Sequence, residues 1–417
     1  MPELLDILLI LIALLIAVPI GVFTVECLAA VLSGRRWVAG VGAESSERSP
    51  RHHTSCALPA VDRSPSANPS VAVLIPAHNE QAVIEPTLRG LRSALSASDR
   101  PIVVADNCTD NTAELARQCG ATVIERTDAD RRGKGYALAF GVDFLRSDPP
   151  DVVVVIDADC RTDENAVALL SRRAHQTGRP VQGRNLCEAG DRSTGVQVIS
   201  ELGFRFANLV RPNGLARLGL PCELMGTGMA FPWKILENAP LAGDHLAEDK
   251  QLGMELALAG HSVLFCPAAG VTSTLPSSER GFASQRTRWE QGQLRTALTW
   301  VPRLLLAGIR QRRLELIGMA ADLSVPPLSL LVLAWAAASG LSLSAVLLGG
   351  SRWPALILGT AGLSLIASIL LGWAAFCRER IPLSALLKIP LYLFRKLPIY
   401  AGWIVHRRPA TWVRTER

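Results

Sequence analysis

The sequence predicts an α/β domain built on a Rossmann-like, mostly parallel sheet, with apolar helices before and after it. Short β-branched runs such as Val71–Ile75 and Val152–Ile156 alternate with helix-length segments. This β-α-β pattern recurs three times within about 90 residues, which favours a parallel sheet. The runs lack polar alternation, as expected of strands that helices cover on both faces.

Composition limits the classes of protein to which the chain can belong. Its 417 residues allow one large catalytic domain with further segments, and a hydrophobic share of 49% is too high for a purely soluble enzyme. The net charge of +6 comes largely from basic residues beside apolar segments, which favours contact with membrane lipids. No nucleic-acid recognition motif accompanies that charge, so nucleic acid is not an expected partner. The nine cysteines show no metal-like pairs and are expected to be reduced thiols.

An uncharged stretch early in the chain predicts a transmembrane anchor. Ile7–Val25 would form about 28 Å of helix, enough to cross a hydrocarbon core. A secretory signal is the competing interpretation, but Glu3 and Asp6 precede the run where a signal carries basic residues. Arg35 and Arg36 follow the run, which predicts a cytoplasmic domain attached to the cell (inner) membrane.

Changes in composition divide the chain into four predicted regions. The segment after the anchor is rich in Ser, Pro, Arg and His and has no periodicity, which is typical of a flexible linker. The regions are the anchor at residues 1–34, the linker at 35–70, the α/β domain at 71–300 and a membrane-associated region at 301–417.

The first two predicted strands end in polar segments. Val71–Ile75 leads into Pro76–Glu80 and a helix over about residues 81–96. A strand-to-helix switch of this kind is well placed to bind a nucleotide. Ile102–Ala105 ends at Asp106, after which a polar turn caps the next helix.

The third and fourth strands lead to charged residues. Ala121–Glu125 precedes Lys134, which stands between two glycines, and the strand from Val152 ends in Asp157 and Asp159. Carboxylates at i and i+2 of extended chain face the same way, here beyond the carboxyl end of a strand. Oxygen ligands at this density favour Mg²⁺ or Mn²⁺ over zinc. A plain turn with a helix cap is the alternative interpretation.

These segments together resemble the nucleotide-sugar half of family 2 glycosyltransferases with the GT-A fold. Four motifs stand in the family's order at strand ends: Pro-Ala-His-Asn-Glu, Asp with its polar turn, Gly-Lys-Gly and Asp-Ala-Asp. The resemblance implies a nucleotide-sugar donor, usually a UDP-sugar, with Asp106 at the uracil, Lys134 near the nucleotide and Asp159 on the metal. The donor-binding residues that it implies are Pro76, Ala77, Asn79, Glu80, Asp106, Lys134, Asp157 and Ala158, and the metal ligands are Asp159 and Asp157.

The second half of the domain is predicted to bind the acceptor. Residues 194–218 look helical and amphipathic, which favours core or membrane-surface packing of their apolar face. Gly226, Thr227 and Gly228 precede an apolar strand, and the missing side chains would let a sugar approach the backbone. This stretch resembles the family's acceptor-side Gly-Thr-Gly motif.

An acidic pair, Glu248 and Asp249, precedes a predicted helix over about residues 250–259. One interpretation is that these are anions favoured at a helix N-terminus. The resemblance implies instead that the pair is catalytic and that Asp249, its second member, is the general base. A carboxylate within hydrogen-bond reach can take the proton of an acceptor hydroxyl group as the new bond forms.

Gln285, Arg288 and Trp289 share one face of a predicted helix, because they stand at i, i+3 and i+4. They offer an amide, a fixed cation for the diphosphate and an aromatic plane for a sugar. An interfacial helix with a snorkelling arginine is the alternative. Gln-x-x-Arg-Trp resembles the motif of membrane-embedded members such as cellulose, chitin, hyaluronan and poly-N-acetylglucosamine synthases. Ceramide glucosyltransferases carry a similar motif.

The last part of the chain is predicted to return to the membrane. Val301–Arg313 alternates leucines with basic residues, as in an interfacial helix. Leu323–Leu348 and Pro354–Phe376 are long enough to span, with basic residues concentrated on one side. Ile381–Val405 is broken by prolines and basic residues, so we expect it to be interfacial or re-entrant.

We therefore expect an inverting, membrane-bound transferase that moves a hexosyl or N-acetylhexosaminyl group from a nucleotide-sugar to a lipid or glycan acceptor, as in polysaccharide synthesis. Inversion is implied by the resemblance. Three spans would need an oligomer or a partner membrane subunit to enclose a wide polysaccharide channel. One alternative is a non-processive transferase that glycosylates a polyprenyl-diphosphate-linked or ceramide-like lipid. The other is a catalytically silent membrane scaffold.

Overall fold

The computed structural model describes residues 2–32, 68–190, 194–243, 247–275 and 278–406. Almost all of the predicted linker, with Arg35 and Arg36, therefore lies outside the described residues. The helices are α1 (Pro2–Leu32), α2 (Ile84–Arg92), α3 (Thr112–Gln118), α4 (Lys134–Leu145), α5 (Ala166–Thr177), α6 (Gly195–Arg205), a π-helix (Phe206–Val210), α7 (Arg211–Arg217), α8 (Trp233–Leu236), α9 (Glu248–Leu258), α10 (Glu279–Gln311), α11 (Leu314–Ser324), α12 (Leu328–Leu347), α13 (Trp353–Phe376), α14 (Leu383–Leu386) and α15 (Ile389–His406).

An eight-stranded sheet forms the centre of the α/β domain. Its strands are β1 (Val71–Ala77), β2 (Arg100–Asp106), β3 (Thr122–Arg126), β4 (Val152–Val155), β5 (Arg161–Thr162), β6 (Val181–Glu188), β7 (Met229–Pro232) and β8 (Leu264–Thr274). They lie in the order β3-β2-β1-β4-β7-β6-β8-β5. The first four of these are parallel, β7 runs antiparallel between β4 and β6, β8 is parallel to β6, and β5 is antiparallel to β8. The predicted α/β architecture with a mostly parallel sheet is confirmed.

Strand β4 is buried along its whole length, which explains its unbroken run of valines. Val152 and Val154 belong to the hydrophobic cluster on one face of the sheet, and Val153 and Val155 to the cluster on the other. Side chains alternate between the faces of a strand, so each face receives two valines. Burial on both faces therefore fixes where the strand ends relative to its neighbours. The residues that follow place Asp157 at the carboxyl edge of the parallel strands.

The first helix of the domain is shorter than predicted. Instead of covering residues 81–96, α2 spans Ile84–Arg92. The amide of Glu80 donates to Thr112 Oγ1 at 2.8 Å, and the amide of Gln81 donates to Asp110 Oδ2 at 3.2 Å. These amides are thus bound to the loop after β2, which joins the loops after β1 and β2 into one surface.

The predicted helix over residues 194–218 is divided by a π-helical turn, Phe206–Val210. Pro212 follows this turn, and a proline cannot donate the amide hydrogen bond that a regular helix requires. π-Helical turns widen a helix locally and are frequent at functional sites. The apolar face packs as predicted, because Leu202 and Phe206 are buried against the helices α1 and α13.

The stretch predicted as an interfacial helix, Val301–Arg313, is helical as far as Gln311, where it completes the 33-residue helix α10. Its interfacial location stays a prediction. Trp300 and Leu304 are buried in a cluster with α11, so this half of α10 packs on protein. A single proline, Pro302, lies inside the helix.

Three helices of the described residues are long and apolar enough to cross a membrane: Leu4–Leu32, Leu328–Leu347 and Trp353–Phe376. The predicted span at Leu323–Leu348 begins later than expected, because α11 ends at Ser324 and two prolines separate it from α12. The predicted interfacial or re-entrant stretch forms α14 and α15, and α15 contacts α6 and α12.

Candidate active site

A cavity of about 540 Å³ lies between the carboxyl edge of the sheet and a group of helices that includes the three candidate membrane spans. One part of its wall comes from the loops after β1 and β4, and another from α9 and α10. Further lining residues come from α1, α6, the π-helix, α7, α11, α12, α13 and α15, and others from α4, β6, β8 and the loop before β7. The cavity therefore joins residues that follow sheet strands to residues that belong to apolar helices.

Most of the residues that the sequence singles out meet in this cavity. The lining includes Pro76, Glu80, Lys134, Asp157, Ala158, Asp159, Gly226, Thr227, Glu248, Asp249, Gln285, Arg288 and Trp289. Four of the predicted residues do not line it: Ala77, Asn79, Asp106 and Gly228.

Lys134 links the acidic cluster to the glycine-rich turn. Its Nζ is bonded to Asp157 Oδ1 and donates to the carbonyl oxygen of Gly226 at 2.7 Å. The amide of Asp157 donates to Thr227 Oγ1 at 3.0 Å. Burial alone would lower the pKa of Lys134, but Asp157 and the α9 acids raise it above its usual value. This lysine is therefore held as a cation at the centre of the acids.

Asp157, Asp159 and Cys160 form a cluster whose oxygen and sulfur atoms lie within 4.8 Å of one another. Burial raises the pKa of Asp157, Lys134 opposes this shift, and the charge of Asp159 adds to it. Burial also raises the pKa of the Cys160 thiol well above its usual value, and sulfur is a softer ligand than Mg²⁺ or Mn²⁺ prefers. The two carboxylates are thus the residues here that fit a hard divalent cation.

The acidic pair of α9 faces the same cluster. Burial, and then the charge of Asp249, raises the pKa of Glu248 to about 7. Burial also raises the pKa of Asp249, although Lys250 and Lys134 oppose the shift. Gly226 has a φ of +87°, and a Cβ on it would lie 3.3 Å from Asp249 Oδ2. Glycine therefore keeps open the space in front of this carboxylate.

Asp106 lies beside the cavity and is nearly buried. Its Oδ1 accepts a hydrogen bond from Arg126 Nη1 at 2.6 Å and another from Asn107 Nδ2 at 3.0 Å. Arg126 also contacts Asp128 at 3.0 Å and lies over the ring of Tyr136 at 5.6 Å. The orientation of the Asp106 carboxylate is therefore fixed from one side.

The loops after β1 and β2 share an unusual backbone conformation. Asn79 and Asn107 have φ values of +54° and +51°, in the left-handed region that asparagine tolerates. Asn79 Oδ1 accepts from the amide of Thr109 at 2.7 Å, and the ring of His78 contacts the carbonyl oxygen of Asp106 at 2.7 Å. Asn79 therefore shapes the loop from outside the cavity, whereas His78, which sequence reasoning missed, lines it.

The predicted face of α10 points into the cavity. Gln285 Oε1 is buried without a hydrogen-bond partner among the described residues. Burial lowers the pKa of Arg288, and Glu248 is the acid that opposes this shift. The rings of Trp289 and Phe204 lie 5.3 Å apart. The face thus presents an amide oxygen, a guanidinium and an aromatic pair, which suits a polar ligand with a ring or chain.

A buried network behind this face was not predicted. Arg286 Nη2 contacts Glu290 Oε1 at 3.2 Å and donates to the hydroxyl group of Tyr392 at 2.9 Å. Lys396 Nζ, from α15, donates to the same glutamate oxygen at 2.7 Å. Burial, and then the charge of Arg286, lowers the pKa of Lys396 to about 8, while Glu290 opposes the shift. The network attaches α15 to α10. The only signal in the sequence was the presence of charges in an apolar stretch.

A second unpredicted cluster attaches the first helix to the domain. Arg211 donates to Glu26 Oε2 at 2.6 Å and to Asp322 Oδ1 at 2.5 Å. Lys250, next to the acidic pair, contacts Glu223 Oε2 at 2.5 Å. All of these except Glu26 line the cavity. Ion pairs therefore hold α1, α7 and α11 around its wall.

Comparison with known proteins agrees with this arrangement. A family model described as glycosyltransferase like family 2 matches residues 69–292, more than half of the chain. The chain belongs to glycosyltransferase family 2. This glycosyltransferase is 29% identical over 240 residues to "Probable glycosyltransferase YdaM" of Bacillus subtilis, which covers 54% of this chain and 55% of that protein. It is 25% identical over 236 residues to the poly-beta-1,6-N-acetyl-D-glucosamine synthase of Staphylococcus aureus, which covers 53% and 54%.

The glycosyltransferase thus matches about half the length of these curated relatives. Among solved structures it is similar to a mannosyltransferase from Pyrobaculum calidifontis that was solved in complex with GDP-Man and Mn²⁺. The TM-score is 0.52 at 20% identity, and the match covers 94% of this chain and 100% of that one. This similarity shows the fold, and the predicted GT-A architecture with apolar helices at both ends is confirmed.

Proposed function

We propose that this glycosyltransferase is an inverting membrane enzyme that transfers a glycosyl group from a UDP-sugar to a hydroxyl group of a glycan or lipid-linked acceptor. The observation that carries the proposal is the cavity, in which the acids Asp157, Asp159 and Asp249 face Arg288 and Trp289. Acids, a cation and an aromatic plane around one space suit a diphosphate, a metal and a sugar.

The donor nucleotide is assigned to the surface formed by the loops after β1 and β2. Arg126 and Asn107 both bond to Oδ1 of Asp106, and we assign Oδ2 to the imide N–H of the uracil. Arg126, with its partner Asp128, keeps that carboxylate in place. Lys134, held beside Asp157, then lies on the path from the base to the sugar.

A divalent cation, Mg²⁺ or Mn²⁺, is assigned to Asp157 and Asp159. Burial, and then the charge of Asp159, raises the pKa of Asp157 despite Lys134, and a bound cation would favour the ionised form of both carboxyl groups. When bound, such an ion neutralises charge on the departing diphosphate. Lys134 and Arg288 would supply positive charge from the protein itself.

The transfer is a single displacement with Asp249 as the base. Asp249 takes the proton of the acceptor hydroxyl group, whose oxygen then bonds to the anomeric carbon. The bond from that carbon to the diphosphate oxygen breaks, and the nucleoside diphosphate leaves with the electron pair. Attack opposite the leaving group inverts the configuration. Burial raises the pKa of Asp249, which makes it a stronger base.

The same proposal places the catalytic domain on the cytoplasmic side of the membrane. The short turn between α12 and α13 carries Arg352, whereas Arg310, Arg313, Arg378 and Arg380 lie at the opposite ends of the spans. An excess of arginine marks the cytoplasmic side of spanning segments.

The metal site is tested by calorimetry of UDP binding with and without Mn²⁺. Asp159→Asn keeps the shape of the side chain but removes the anionic ligand, so the metal-dependent part of the affinity should fall by roughly 10–100-fold or more. Asp143→Asn, at an exposed position on α4, is the matched control and should bind as wild type does. Retained metal dependence in Asp159→Asn moves the metal elsewhere. Wild-type protein that binds no UDP with Mn²⁺ contradicts the proposed donor.

A further inference from the structure

The part of the cavity that lies among the candidate membrane spans is apolar, unlike the part that contains the acids. Its wall is formed by apolar side chains from five separate elements. We define this as the apolar compartment, lined by Phe23, Phe206, Leu328, Val332, Ile369 and Leu393. Because the compartment and the acids belong to one cavity, a single ligand can contact both.

Three polar side chains at this end, Ser329, Tyr392 and Asp322, are already bonded within the protein. The hydroxyl group of Ser329 lies 2.7 Å from that of Tyr400, and Tyr392 accepts a hydrogen bond from Arg286. Asp322 is paired with Arg211. A sugar hydroxyl group placed here would give up water without gaining a partner among these groups, which is unfavourable. A hydrocarbon chain has no such cost.

We propose that the acceptor is a lipid, with a hydroxylated head group at Asp249 and a hydrocarbon chain in the apolar compartment. This inference rests on the proposed function and names its acceptor class. Trp289 and Phe204 pack together and line the cavity, where they can contact the junction of head group and chain. Three of the helices that line the compartment, α1, α12 and α13, are candidate membrane spans, so the chain can enter from the bilayer.

Gly203 offers a way to fill the compartment without disturbing the acids. It lies on α6 between Leu202 and Phe204, it lines the cavity, and a Cβ built on it meets no atom within 4 Å. Gly203→Leu therefore places a side chain in open space, and leucine is also the better helix former. Gly90 on α2 is the matched control. A Cβ there also meets nothing within 4 Å, and α2 does not line the cavity.

The experiment uses the full chain in lipid nanodiscs with Mn²⁺ and radiolabelled UDP-glucose, UDP-galactose or UDP-N-acetylglucosamine. The acceptor probes are methyl, butyl, hexyl and octyl β-glucoside, each below its micelle concentration. We expect kcat/KM to rise by roughly fourfold for each CH₂ group that becomes buried. Gly203→Leu should lower the octyl-to-methyl ratio of kcat/KM at least tenfold, and Gly90→Leu should keep the wild-type ratio.

Equal use of methyl and octyl β-glucoside overturns the inference, as does preferential extension of a soluble tetrasaccharide such as cellotetraose. Binding of UDP with Mn²⁺ is measured on the same preparations. Loss of chain-length dependence with UDP binding intact defeats only the lipid acceptor, whereas absence of UDP binding defeats the proposed function.

A binding measurement covers the case in which no glucoside is turned over. Dodecanol that carries a terminal diazirine is photolysed with the protein, and labelled positions are mapped by mass spectrometry. Labels on Val332 and Ile369 that Gly203→Leu reduces support the compartment. Labels confined to outward-facing positions such as Leu341 and Leu363, which are 61% and 72% exposed, and unchanged in Gly203→Leu, overturn it.

Discussion

The cavity has two walls. The residues of one wall come from neighbouring parts of the sequence, and the residues of the other come from parts that are far apart. The donor wall consists of residues that follow β1 and β4, together with Lys134, and the strands bring them to one edge of the sheet. The membrane wall takes residues from α1 to α15, and buried ion pairs join its parts across 185 and 106 residues. The donor wall thus follows from the geometry of a sheet, whereas the membrane wall depends on specific long-range pairs.

This difference predicts that substitutions in the two walls change different properties. Removing one member of an ion pair should destabilise the membrane wall and leave the donor site unchanged. Removing a catalytic acid should lower turnover and leave the fold unchanged. The four predictions below test this separation, in order of expected effect.

The largest expected effect is the loss of Arg211. Arg211→Met leaves Glu26 and Asp322 as buried carboxylates without their partner, which should cost about 3–5 kcal/mol of unfolding free energy. The measurement is thermal unfolding in detergent, followed by tryptophan fluorescence. Below the transition, UDP affinity should match wild type.

Arg92→Met, at an exposed position on α2, is the control for the substitution itself. A triple variant, Arg211→Met with Glu26→Gln and Asp322→Asn, should regain part of the lost stability because no unpaired charge remains. An Arg211→Met protein as stable as wild type would show that the membrane wall does not depend on this cluster.

Asp249→Asn should have the next largest effect. Without the base, turnover should fall by roughly 10²-fold or more, while UDP affinity and thermal stability change little. Initial rates at saturating donor, beside calorimetric UDP binding, separate the two quantities. Asp143→Asn serves again as the Asp-to-Asn control. Wild-type turnover in Asp249→Asn would assign the base elsewhere.

The third prediction concerns pH. The folded pKa of Glu248 is about 7, against 4.5 for an ordinary glutamate, because of burial and then the charge of Asp249. Its stabilising contribution is complete below pH 4.5 and is lost as the pH rises to about 7. Charged groups that face it are Asp249, Lys134, Asp157 and Arg288.

Melting temperatures measured in EDTA from pH 4.5 to 8 should therefore fall more steeply for wild type than for Glu248→Gln. Glu255→Gln, on the same helix, is the control and should keep the wild-type slope. Identical slopes for all three proteins would mean that Glu248 is not protonated in the folded chain.

The smallest effect is expected for Trp289→Phe. Phenylalanine keeps the contact with Phe204 but has a smaller ring, so kcat/KM for the acceptor should fall roughly two- to tenfold with UDP affinity unchanged. Trp300→Phe, on the same helix but buried against α11, is the control. Unchanged acceptor kinetics in Trp289→Phe would give this residue a purely structural role.

The sequence was informative wherever one local pattern determines a position. The valines of β4 and the acids after them could be interpreted together, because a strand buried on both faces must deliver Asp157 and Asp159 to the edge of the sheet. The face of α10 was recognised from its i, i+3 and i+4 spacing, and the acidic pair of α9 from the family resemblance. Their proposed roles remain predictions, since the structure shows only that they share a cavity.

Contacts between residues far apart in the chain could not be predicted from the sequence. Nothing near Lys396 indicates that it reaches Glu290, and nothing near Pro302 shows that α10 continues to Gln311. Proline disfavours a helix interior locally, but burial of Trp300 and Leu304 against α11 outweighs that preference. Asp106 was correctly placed at a strand end, yet its pairing with Arg126 depends on the neighbouring strand β3.

The pairing of Glu26 with Arg211 has a consequence for the time course of synthesis. The ribosome adds 185 residues between the two, which takes about 10–40 s at usual rates. During that interval the nascent chain contains Glu26 but does not yet contain Arg211, so the acid in α1 has no partner. In the proposed topology α1 spans the membrane, and Glu26 lies only about 9 Å of helix from Leu32, near the water boundary and away from the centre of the bilayer. In that topology the insertion of α1 can precede its attachment to the domain by many seconds.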